Sequence, residues 1–299
     1  MKKLIVRISE GLGNQLFMYA NAYSFSKKMG YDLLIDSITA YKKINIRSFL
    51  LDKFEIPIKN ADSKHIPDNL NKYIFHKLSR KIDFLRKKKK FLIEFRDKNK
   101  KTKYIDYTIN KYDDNLYIQG YFESEKFFKD YKNDLIKRFK IRSINKENLS
   151  VDPKTILNEN SVSIAIRQHR FSEKINNQSN INKSNLFVKD TINYIFKASE
   201  IIKSKVKNPK FYIFSNDTSN LKDVFDQNTY KIINHDHDKP INDFYLSTLC
   251  KHFIIGPSTF HWWSAYLGLN EQKICLRPMK GLVFSSNIDI FPENWIQID

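Results

Sequence analysis

The stretch that most constrains this chain is a short apolar run followed at once by a cluster of cations. Residues 162–166 are apolar or small and favour β-structure, so they predict a strand buried on both faces. Arg167, Gln168, His169 and Arg170 follow directly and do not suit a strand interior. The carboxyl ends of strands point into the ligand crevice of an open α/β sheet, and guanidinium groups match phosphate oxygens. This stretch therefore predicts a diphosphate site, with a solvated strand end as the alternative.

A second pattern of strand, turn and helix opens the chain. Residues 4–8 predict a strand, and Gly11 and Gly13 then allow a tight turn that a ligand can approach closely. Asn14 and Gln15 stand at the start of the predicted helix, where amides serve either as caps or as ligand contacts. The third glycine of a dinucleotide fingerprint is missing, so the turn alone does not define a nucleotide site.

Strand and helix patterns alternate in both halves of the chain. This alternation predicts an α/β protein with two Rossmann-like domains facing a cleft. The polar stretch 143–160 is the predicted linker, and it separates a domain of residues 1–150 from one of residues 151–299. Spacing predicts strands at 31–36, 116–121 and 252–256, and a strand that passes into a polar turn at 211–217. It predicts a helical region with a mobile lysine-rich middle at 66–103, helices at 125–139, 190–203 and 242–251, and a loop at 171–186.

The predicted strand 252–256 leads into a second candidate anion site. Ser258 and Thr259 lie where this strand passes into a helix, and backbone N–H groups, hydroxyls and the helix dipole there form a phosphate cradle. An ordinary helix cap is the alternative. Asp217 and Asp243 are carboxylates that suit guanine, because each can accept both N1–H and N2–H, although either could also cap a helix. His261 is polar surface or a site residue.

The net charge of the chain indicates which classes of partner it can bind. Lys and Arg number 52 against 33 Asp and Glu, a net charge of +19, which favours a polyanionic partner. Residues 70–103 hold fourteen Lys and Arg against three acidic residues. This basic region predicts either contact with an anionic membrane surface or a solvated face. It lacks the interleaved aromatic residues and the motif of a known nucleic-acid reader, so we expect no nucleic-acid partner.

The cysteines and the apolar runs point to a cytoplasmic protein. Cys250 and Cys275 make neither a disulfide framework nor a metal set, which fits a reducing compartment. No apolar run approaches the roughly 20 residues of a membrane-spanning helix, and the N-terminal run is too short for a signal peptide. Residues 235–238 have a metal-like composition, but neighbouring residues in a polar turn seldom converge on one ion, so we predict a loop and no metal site.

Six segments, taken together, resemble glycosyltransferase family 11, the α-1,2-fucosyltransferase-like enzymes. They occur in the family's order and cover the chain from end to end, and the first and last are highly specific. The segments are Gly11-Leu-Gly-Asn-Gln-Leu-Phe-Met-Tyr-Ala20, Leu51-Asp-Lys-Phe54, Gln119-Gly-Tyr-Phe-Glu-Ser-Glu-Lys-Phe127, Phe211-Tyr-Ile-Phe-Ser-Asn-Asp217, Asp243-Phe-Tyr-Leu-Ser-Thr-Leu-Cys-Lys-His252 and Ser258-Thr-Phe-His-Trp-Trp-Ser-Ala265.

The resemblance implies a fold and an activity. It implies a GT-B-like fold with an acceptor domain at residues 1–150 and a nucleotide-sugar domain at residues 151–299. The implied reaction is metal-independent, inverting transfer of fucose from GDP-fucose to a glycan hydroxyl in surface polysaccharide synthesis, with no cofactor beyond the GDP-sugar donor and with an acceptor that can be lipid-linked. The expected donor contacts are Gly11, Gly13, Asn14, Gln15, Asn216, Asp217, Asp243, Ser258, Thr259 and Phe260.

The resemblance also exposes a departure at the strand end. The family usually carries His-x-Arg-Arg-Gly-Asp where this chain has Ala165-Ile-Arg-Gln-His-Arg170. Arg167 keeps the first arginine and is the predicted stabiliser of the leaving diphosphate. Arg170 and His169 are expected to restore the charge missing at Gln168, and Glu173 or His169 is the candidate general base. Transfer of another nucleotide sugar, or a non-catalytic sugar-binding role, is the alternative that this departure raises.

Overall fold

The chain forms two compact units. The computed structural model describes residues 2–41, 47–173, 175–234, 240–279, 282 and 285–298. The first unit comprises residues 1–142 and 285–292, and the second comprises residues 143–284 and 293–299. The division after residue 142 lies eight residues before the one expected after residue 150, and no sequence pattern indicated that the segment 285–292 belongs to the first unit.

The segment 285–292 is attached to the first unit by polar contacts. The backbone N–H of Tyr104 donates to the Asp289 carboxylate at 2.9 Å, and the Lys126 ammonium donates to the same carboxylate at 2.8 Å. The N–H of Ile288 donates to the carbonyl of Thr102 at 3.0 Å. These contacts join residues far apart in the chain, so local sequence patterns could not have indicated them.

The first unit is built on a parallel four-stranded sheet in the order β2-β1-β4-β3. The described α-helices of this unit are 18, 12 and 7 residues long. The elements are β1 (Lys3–Arg7), α1 (Leu12–Met29), β2 (Asp32–Asp36), α2 (Leu70–Lys81), β3 (Lys89–Ile93), β4 (Tyr112–Gln119) and α3 (Lys132–Arg138). The strands predicted at 4–8, 31–36 and 116–121 and the turn to a helix at Gly11 are confirmed.

The region predicted as helical at 66–103 is helical only in part, and its lysine-rich middle leads into a strand where a mobile segment is predicted. Helix α2 ends at Lys81, and the lysine-rich run that follows enters strand β3. Asp83 explains the change, because its buried carboxylate accepts the backbone N–H groups of Lys90 and Phe91 at 3.0 and 3.2 Å. The Lys89 ammonium donates to three carbonyls of the preceding turn. These bonds fix the lysines in an extended backbone.

The helix predicted at 125–139 is also broken into pieces. Residues 125–127 and 129–131 form two single 3₁₀ turns, and only α3 is α-helical. Phe128 separates the two turns with φ of −141°, which is incompatible with a continuous helix. Its side chain is fully buried, so the backbone bends in order to bury the ring.

The second unit is built on a parallel six-stranded sheet in the order β10-β9-β8-β5-β6-β7. Counted along the unit, this order is 6-5-4-1-2-3, which is the doubly wound arrangement of dinucleotide-binding folds. The elements are α4 (Pro153–Asn158), β5 (Asn160–Ile166), α5 (Gln178–Lys205), β6 (Pro209–Ser215), β7 (Tyr230–Ile232), α6 (Pro240–Thr248), β8 (His252–Ile254), α7 (Thr259–Leu267), β9 (Cys275–Pro278) and β10 (Ile296–Ile298).

Strand β5 is the centre of this sheet, as the sequence predicts. Residues 161–166 are buried, and the strand pairs with β6 on one side and β8 on the other. Helix α5 covers it, with Ile195, Ala198 and Ile202 in the core that includes Val162 and Ile164. The predicted linker 143–160 belongs to this unit and contains helix α4.

Helix α5 begins twelve residues before the predicted start at Asp190, so the loop predicted at 171–186 is too long. Asn177 caps the helix, since its side-chain oxygen accepts the N–H of Asn180 at 2.9 Å. Of the Asn and Ser residues that suggested a loop, Ser179 and Asn182 are exposed on the first turns of α5, whereas Ser184 on these turns is buried. Among the described residues, no helix combines the length and the apolar character needed to span a membrane.

Candidate functional site

The strand order of the second unit marks one place for a ligand. The chain winds outward from β5 in one direction and from β8 in the other, so the topological switch point lies between these two neighbouring strands. Ligands of open α/β sheets bind beyond the carboxyl ends of the strands at such a point. The predicted arginine stretch follows β5, and the predicted Ser258 and Thr259 cradle follows β8. The fold thus brings the two halves of the predicted anion site to the same switch point.

Gly256 allows the two strand ends to touch. A Cβ atom at this position would lie 1.9 Å from the backbone oxygen of Ala165, a separation that atoms do not tolerate. A side chain at 256 would therefore force β5 and the β8–α7 turn apart. This close approach requires glycine at position 256.

His261 fastens the same turn to β5 from inside the protein. The Gly256 N–H donates to Nδ1 of His261 at 3.0 Å, which leaves Nε2–H to donate to the Ser163 hydroxyl at 2.8 Å. The ring is completely buried, and this burial lowers the pKa of His261 to about 3. His261 is therefore a neutral internal brace, and the surface role that the sequence left open is wrong.

The start of helix α7 presents the predicted cradle. Ser258 is the N-cap, and its hydroxyl accepts the N–H of Phe260 at 3.2 Å. Ser258, Thr259 and Phe260 are all partly exposed, whereas the next residues are buried. No acidic residue stands in the first turn, so the positive end of the helix dipole is not neutralised locally.

Arg167 leaves the end of β5 in an ion pair with Glu173. Both side chains are about one-third to one-quarter exposed, at 31% and 26%. The Glu173 N–H also donates to the His169 carbonyl at 2.9 Å, which closes the loop on itself. Glu173 thus holds the guanidinium in place. A general base must accept the proton of the attacking hydroxyl, whereas this carboxylate already accepts a hydrogen bond from Arg167.

Gln168 fixes the arginine loop to the end of β6. Its buried side chain donates to the carbonyl of Asp217 at 2.7 Å and to the side-chain oxygen of Asn220 at 2.9 Å. Its backbone exchanges two bonds with the Asn216 amide, at 2.8 and 3.2 Å. Both amide hydrogens of Gln168 and both ends of the Asn216 side chain are used, so these residues shape the loop.

His169 and Asp217 form a side-chain hydrogen bond beside this loop. His169 Nε2 lies 2.8 Å from a carboxylate oxygen of Asp217, and the Ser219 N–H donates to the other oxygen at 2.9 Å. These bonds, with the His169 contact as the largest cause, lower the pKa of Asp217 to about 2. His169 also has a positive φ of 55°, so this pairing is made from a constrained backbone.

Arg170 joins the two halves of the switch point. Its guanidinium donates to the Pro257 carbonyl at 3.2 Å and lies 5.2 Å from the centre of the Phe187 ring. The contact connects the loop after β5 to the turn after β8. Arg170 therefore positions the cradle as well as adding charge to it.

Asp243 lies in the first turn of α6 and is almost completely buried. Helices α6 and α7 pack together through the rings of Phe244 and Phe260, whose centres are 5.1 Å apart, and through a 2.7 Å bond between Ser247 and Ser264. The packing places the first turn of α6 next to the first turn of α7. Asp243 directly precedes Phe244, whose ring packs on that of Phe260 in the first turn of α7.

The glycine turn of the first unit has a different internal order. Gly11 is the N-cap of α1, and Gly13 is buried. Gln15 is fully buried and donates to the carbonyls of Glu10 and Ser48 at 2.8 and 2.7 Å. Its oxygen accepts the N–H of Leu50 at 2.9 Å, so the amide holds a loop against the turn.

Asn14 differs from its neighbour Gln15. Its side-chain oxygen is buried and has no hydrogen-bond partner among the residues that the structure describes. A buried acceptor without a partner costs free energy. Asn14 is therefore the amide of this turn that is suited to a ligand contact, while Gln15 is a supporting residue.

Sequence reasoning missed residues around the same turn. Glu10 adopts a φ of 63°, a conformation that favours glycine, and its carbonyl accepts bonds from Gln15 and from the Tyr41 hydroxyl at 3.1 Å. Arg47 passes close to Gly11, since a Cβ there would lie 3.7 Å from its Cδ. Burial and the carboxylates of Glu10 and Glu123 raise the pKa of Tyr121. The charged residue Glu10, directly before Gly11, was the one sequence feature that could have drawn attention to these residues.

Metal ligands do not cluster in the part of the chain that is described. No group of three or more His, Cys, Asp or Glu side chains there could hold an ion. Residues 235–238, for which the sequence predicts a loop, lie outside the described residues. The described cysteines, Cys250 and Cys275, are free and buried.

His261 makes stability depend on pH in a defined way. Its folded pKa lies below the unfolded value, so the unfolded chain binds a proton that the folded chain does not as the pH falls below about 6.5. The wild-type protein should therefore lose about 1.4 kcal/mol of unfolding free energy per pH unit relative to His261→Gln between pH 6 and 5. Urea unfolding of both proteins at pH 7, 6 and 5 measures this. A constant difference would contradict the neutral brace.

The positive φ of Glu10 should make the protein more stable with glycine at this position than with any other small residue. Glu10→Gly and Glu10→Ala both remove the carboxylate, but only glycine adopts the positive φ without strain. The glycine variant should exceed the alanine variant by about 1 kcal/mol of unfolding free energy. Glu200, inside helix α5, is the control, because there alanine should be the more stable of the two. Equal stability of the two Glu10 variants would exclude backbone strain.

The sequence comparisons agree on one family. The model described as Glycosyl transferase family 11 matches residues 3–299. The chain is 24% identical over 306 residues to Alpha-1,2-colitosyltransferase from Escherichia coli, covering 100% of both chains. It is 25% identical over 313 residues to the O-antigen biosynthesis glycosyltransferase WbnK from Escherichia coli, covering 97% of this chain and 99% of the relative.

Solved structures share the fold. Fucosyltransferase NodZ from Bradyrhizobium matches with a TM-score of 0.50 and 14% identity, covering 88% of this chain and 92% of that one. A mutant of FUT1 from Arabidopsis thaliana in complex with GDP matches with a TM-score of 0.50 and 15% identity, covering 94% of this chain and 71% of that one. The predicted α/β, GT-B-like fold with two Rossmann-like domains is confirmed.

Proposed function

The chain belongs to glycosyltransferase family 11, and from that premise we propose that it transfers fucose from GDP-fucose to a hydroxyl of an O-antigen glycan. The observation that supports this proposal is the strand order of the second unit, in which Arg167 follows β5 and the start of helix α7 follows the neighbouring β8, on the two sides of the switch point. Relatives named for colitosyl transfer and for O-antigen biosynthesis support the reaction class. We take the second unit as the donor domain and the first unit as the acceptor domain.

The leaving diphosphate binds at the switch point in this proposal. Ser258 and Thr259 offer backbone N–H groups, hydroxyls and the positive end of the α7 dipole. Arg167 stabilises the charge that grows on the β-phosphate as its bond to the sugar breaks. This guanidinium is the proposed source of positive charge, so we expect turnover without an added divalent metal. Arg170 positions the cradle through Pro257.

Guanine is recognised by Asp243 in this proposal. A buried carboxylate can accept both N1–H and N2–H of guanine, whereas it would face the N1 lone pair of adenine. Asp217 is the other candidate, and its carboxylate is 2.8 Å from His169 Nε2 and accepts the Ser219 N–H at 2.9 Å. We favour Asp243 for its burial. The mutant FUT1 that shares the fold was solved with GDP, which supports a guanine nucleotide.

The transfer step follows from these contacts. An acceptor hydroxyl attacks the anomeric carbon from the face opposite the diphosphate, a new C–O bond forms, and the bond to the β-phosphate breaks with its electron pair on GDP. The hydroxyl proton passes to solvent water, so the products are the glycoside, GDP and one proton. Glu173 and His169 are the predicted bases. Because Glu173 is paired with Arg167 and His169 is hydrogen-bonded to Asp217, we assign them to positioning Arg167 and the loop.

The glycine turn of the first unit, which the family resemblance implies as a donor contact, binds the acceptor in this proposal. Asn14 offers a buried oxygen without a partner among described residues, and Glu10 stands next to it in a strained backbone. Carboxylates and amides are suited to sugar hydroxyls, which donate and accept hydrogen bonds. We expect a glycan acceptor, in a lipid-linked form, and a cytoplasmic site of action.

Colitose is the second candidate sugar. The relative named Alpha-1,2-colitosyltransferase spans the whole chain at 24% identity. Colitose is a fucose that lacks one hydroxyl, so the two donors share the nucleotide and the leaving group. The departure at residues 168–170 alters the loop next to the diphosphate, which is where a change of sugar would be accommodated.

Donor binding tests the proposal. GDP should raise the melting temperature, with a gain of about 2.7 kcal/mol at a concentration ~100 times its dissociation constant, while ADP and UDP should not. Asp243→Asn should abolish the preference for GDP, and the exposed control Asp223→Asn should keep it. Transfer assays with GDP-fucose and GDP-colitose on O-antigen oligosaccharides then identify the sugar.

Two outcomes would overturn this assignment. An equal response to GDP, ADP and UDP would remove Asp243 as the guanine contact. Binding of GDP without turnover of either sugar donor would indicate the non-catalytic sugar-binding role that the altered arginine loop raises.

A further inference from the structure

The first unit exposes a run of large apolar side chains on and after helix α2. Eight such residues within sixteen positions are between 47% and 74% exposed. Isolated apolar residues on a surface are ordinary, but a contiguous group marks a binding surface. They are Leu70, Tyr73, Ile74, Phe75, Leu78, Ile82, Phe84 and Leu85. We refer to residues 70–90, which contain them, as the amphipathic segment.

Helix α2 has its apolar stripe turned away from the sheet. Leu70, Ile74, Leu78 and Ile82 are four residues apart, so they lie along one face of the helix. The opposite face packs inward through His76, whose ring lies 4.8 Å from that of Phe91 and 4.6 Å from that of Tyr117. A surface helix normally buries its apolar stripe against the core. Here a partner outside the unit is needed to cover it.

Cations border the apolar stripe. The amphipathic segment contains nine Lys and Arg residues and one acidic residue, Asp83, which is buried and paired with Arg86. Lys72 and Lys89 are also bound within the protein. Six cations are exposed instead: Lys77, Arg80, Lys81, Lys87, Lys88 and Lys90. The surface therefore combines apolar side chains with a high density of positive charge.

We propose that the amphipathic segment docks on an anionic phospholipid surface, with the apolar side chains entering the acyl boundary and the lysines contacting headgroups. An amphipathic helix with a basic border has the composition of an interfacial membrane element. The apolar region and the anionic headgroups of a bilayer match both properties of the segment at once. A second copy of the chain would bring two strongly basic surfaces together, and a nucleic acid would leave the apolar side chains in water.

Docking of this kind brings the first unit to the membrane. The segment belongs to the unit that we propose binds the acceptor, so a lipid-linked glycan would be presented to it at the bilayer surface. The docking proposal does not depend on the transfer reaction, because it is tested with lipid alone.

Vesicle sedimentation tests the proposal with the full chain. Binding to phosphatidylcholine vesicles should require added phosphatidylglycerol and should fall as salt is raised. The variant Phe75→Ser/Leu78→Ser/Phe84→Ser and the variant Lys77→Gln/Lys81→Gln/Lys87→Gln/Lys88→Gln should each bind roughly tenfold more weakly or worse. All seven positions are exposed, so both variants should fold and keep their GDP response.

Matched controls separate position from composition. Ile109→Ser/Leu186→Ser/Leu269→Ser removes three exposed apolar side chains elsewhere, and Lys205→Gln/Lys207→Gln/Lys210→Gln/Lys222→Gln removes four exposed charges. Both should bind vesicles as the wild type does. A tryptophan introduced by Phe75→Trp should be quenched by brominated lipid, whereas Ile109→Trp should not.

Three results would overturn the proposal. One is absence of binding to anionic vesicles. Another is binding that the lysine variant loses and the serine variant keeps, which would show surface charge without insertion. The third is self-association that the serine variant abolishes in the absence of lipid, which would make a second copy the occupant.

Discussion

The close contact between Gly256 and the backbone of Ala165 is the constraint on which the site in the second unit depends. A single methyl group at 256 would not fit, so the ends of β5 and β8 are as near to each other as backbones allow. The neutral ring of His261 maintains this contact through hydrogen bonds to Gly256 and Ser163. Arg170 connects the loop after β5 to the Pro257 carbonyl. This close approach is why the arginine that follows one strand and the helix start that follows the other can contribute to the one anion site that we propose.

The altered arginine motif makes sense in this setting. Where the family usually has a second arginine, Gln168 is buried and its amide is shared between Asp217 and Asn220. A charged guanidinium at that place would need different partners in the same small space. A neutral amide, Gln168, therefore holds the loop where the family usually has a cation, and Glu173 holds Arg167 in position. The departure changes how the loop is held more than it changes the charge nearest to the cradle.

Sequence patterns gave the strands and helices near the site, but not the contacts that assign roles. The buried run 162–166 and the step from strand to helix at Ser258 depend on local periodicity and capping, and both were predictable. The sheet order, the return of residues 285–292 and the pairs of Glu173 with Arg167 and of His169 with Asp217 depend on side chains that the fold alone brings together. Gln15 shows the same limit, because an amide at a helix start looks alike whether it binds a ligand or a loop.

The central claim is that Arg167 stabilises the charge of the departing diphosphate, and steady-state kinetics of Arg167→Ala test it most directly. Loss of one donor to a developing charge typically lowers kcat by a factor of ~100 or more. Arg167→Lys should recover little of this, since a point charge does not reproduce a planar fork. Gln168→Ala, at a neutral position of the same loop, reports any loss that comes from loop disorder alone. A kcat reduced about 100-fold in Arg167→Ala, with a much smaller loss in Gln168→Ala, is the predicted result, and an undiminished kcat in Arg167→Ala would contradict it.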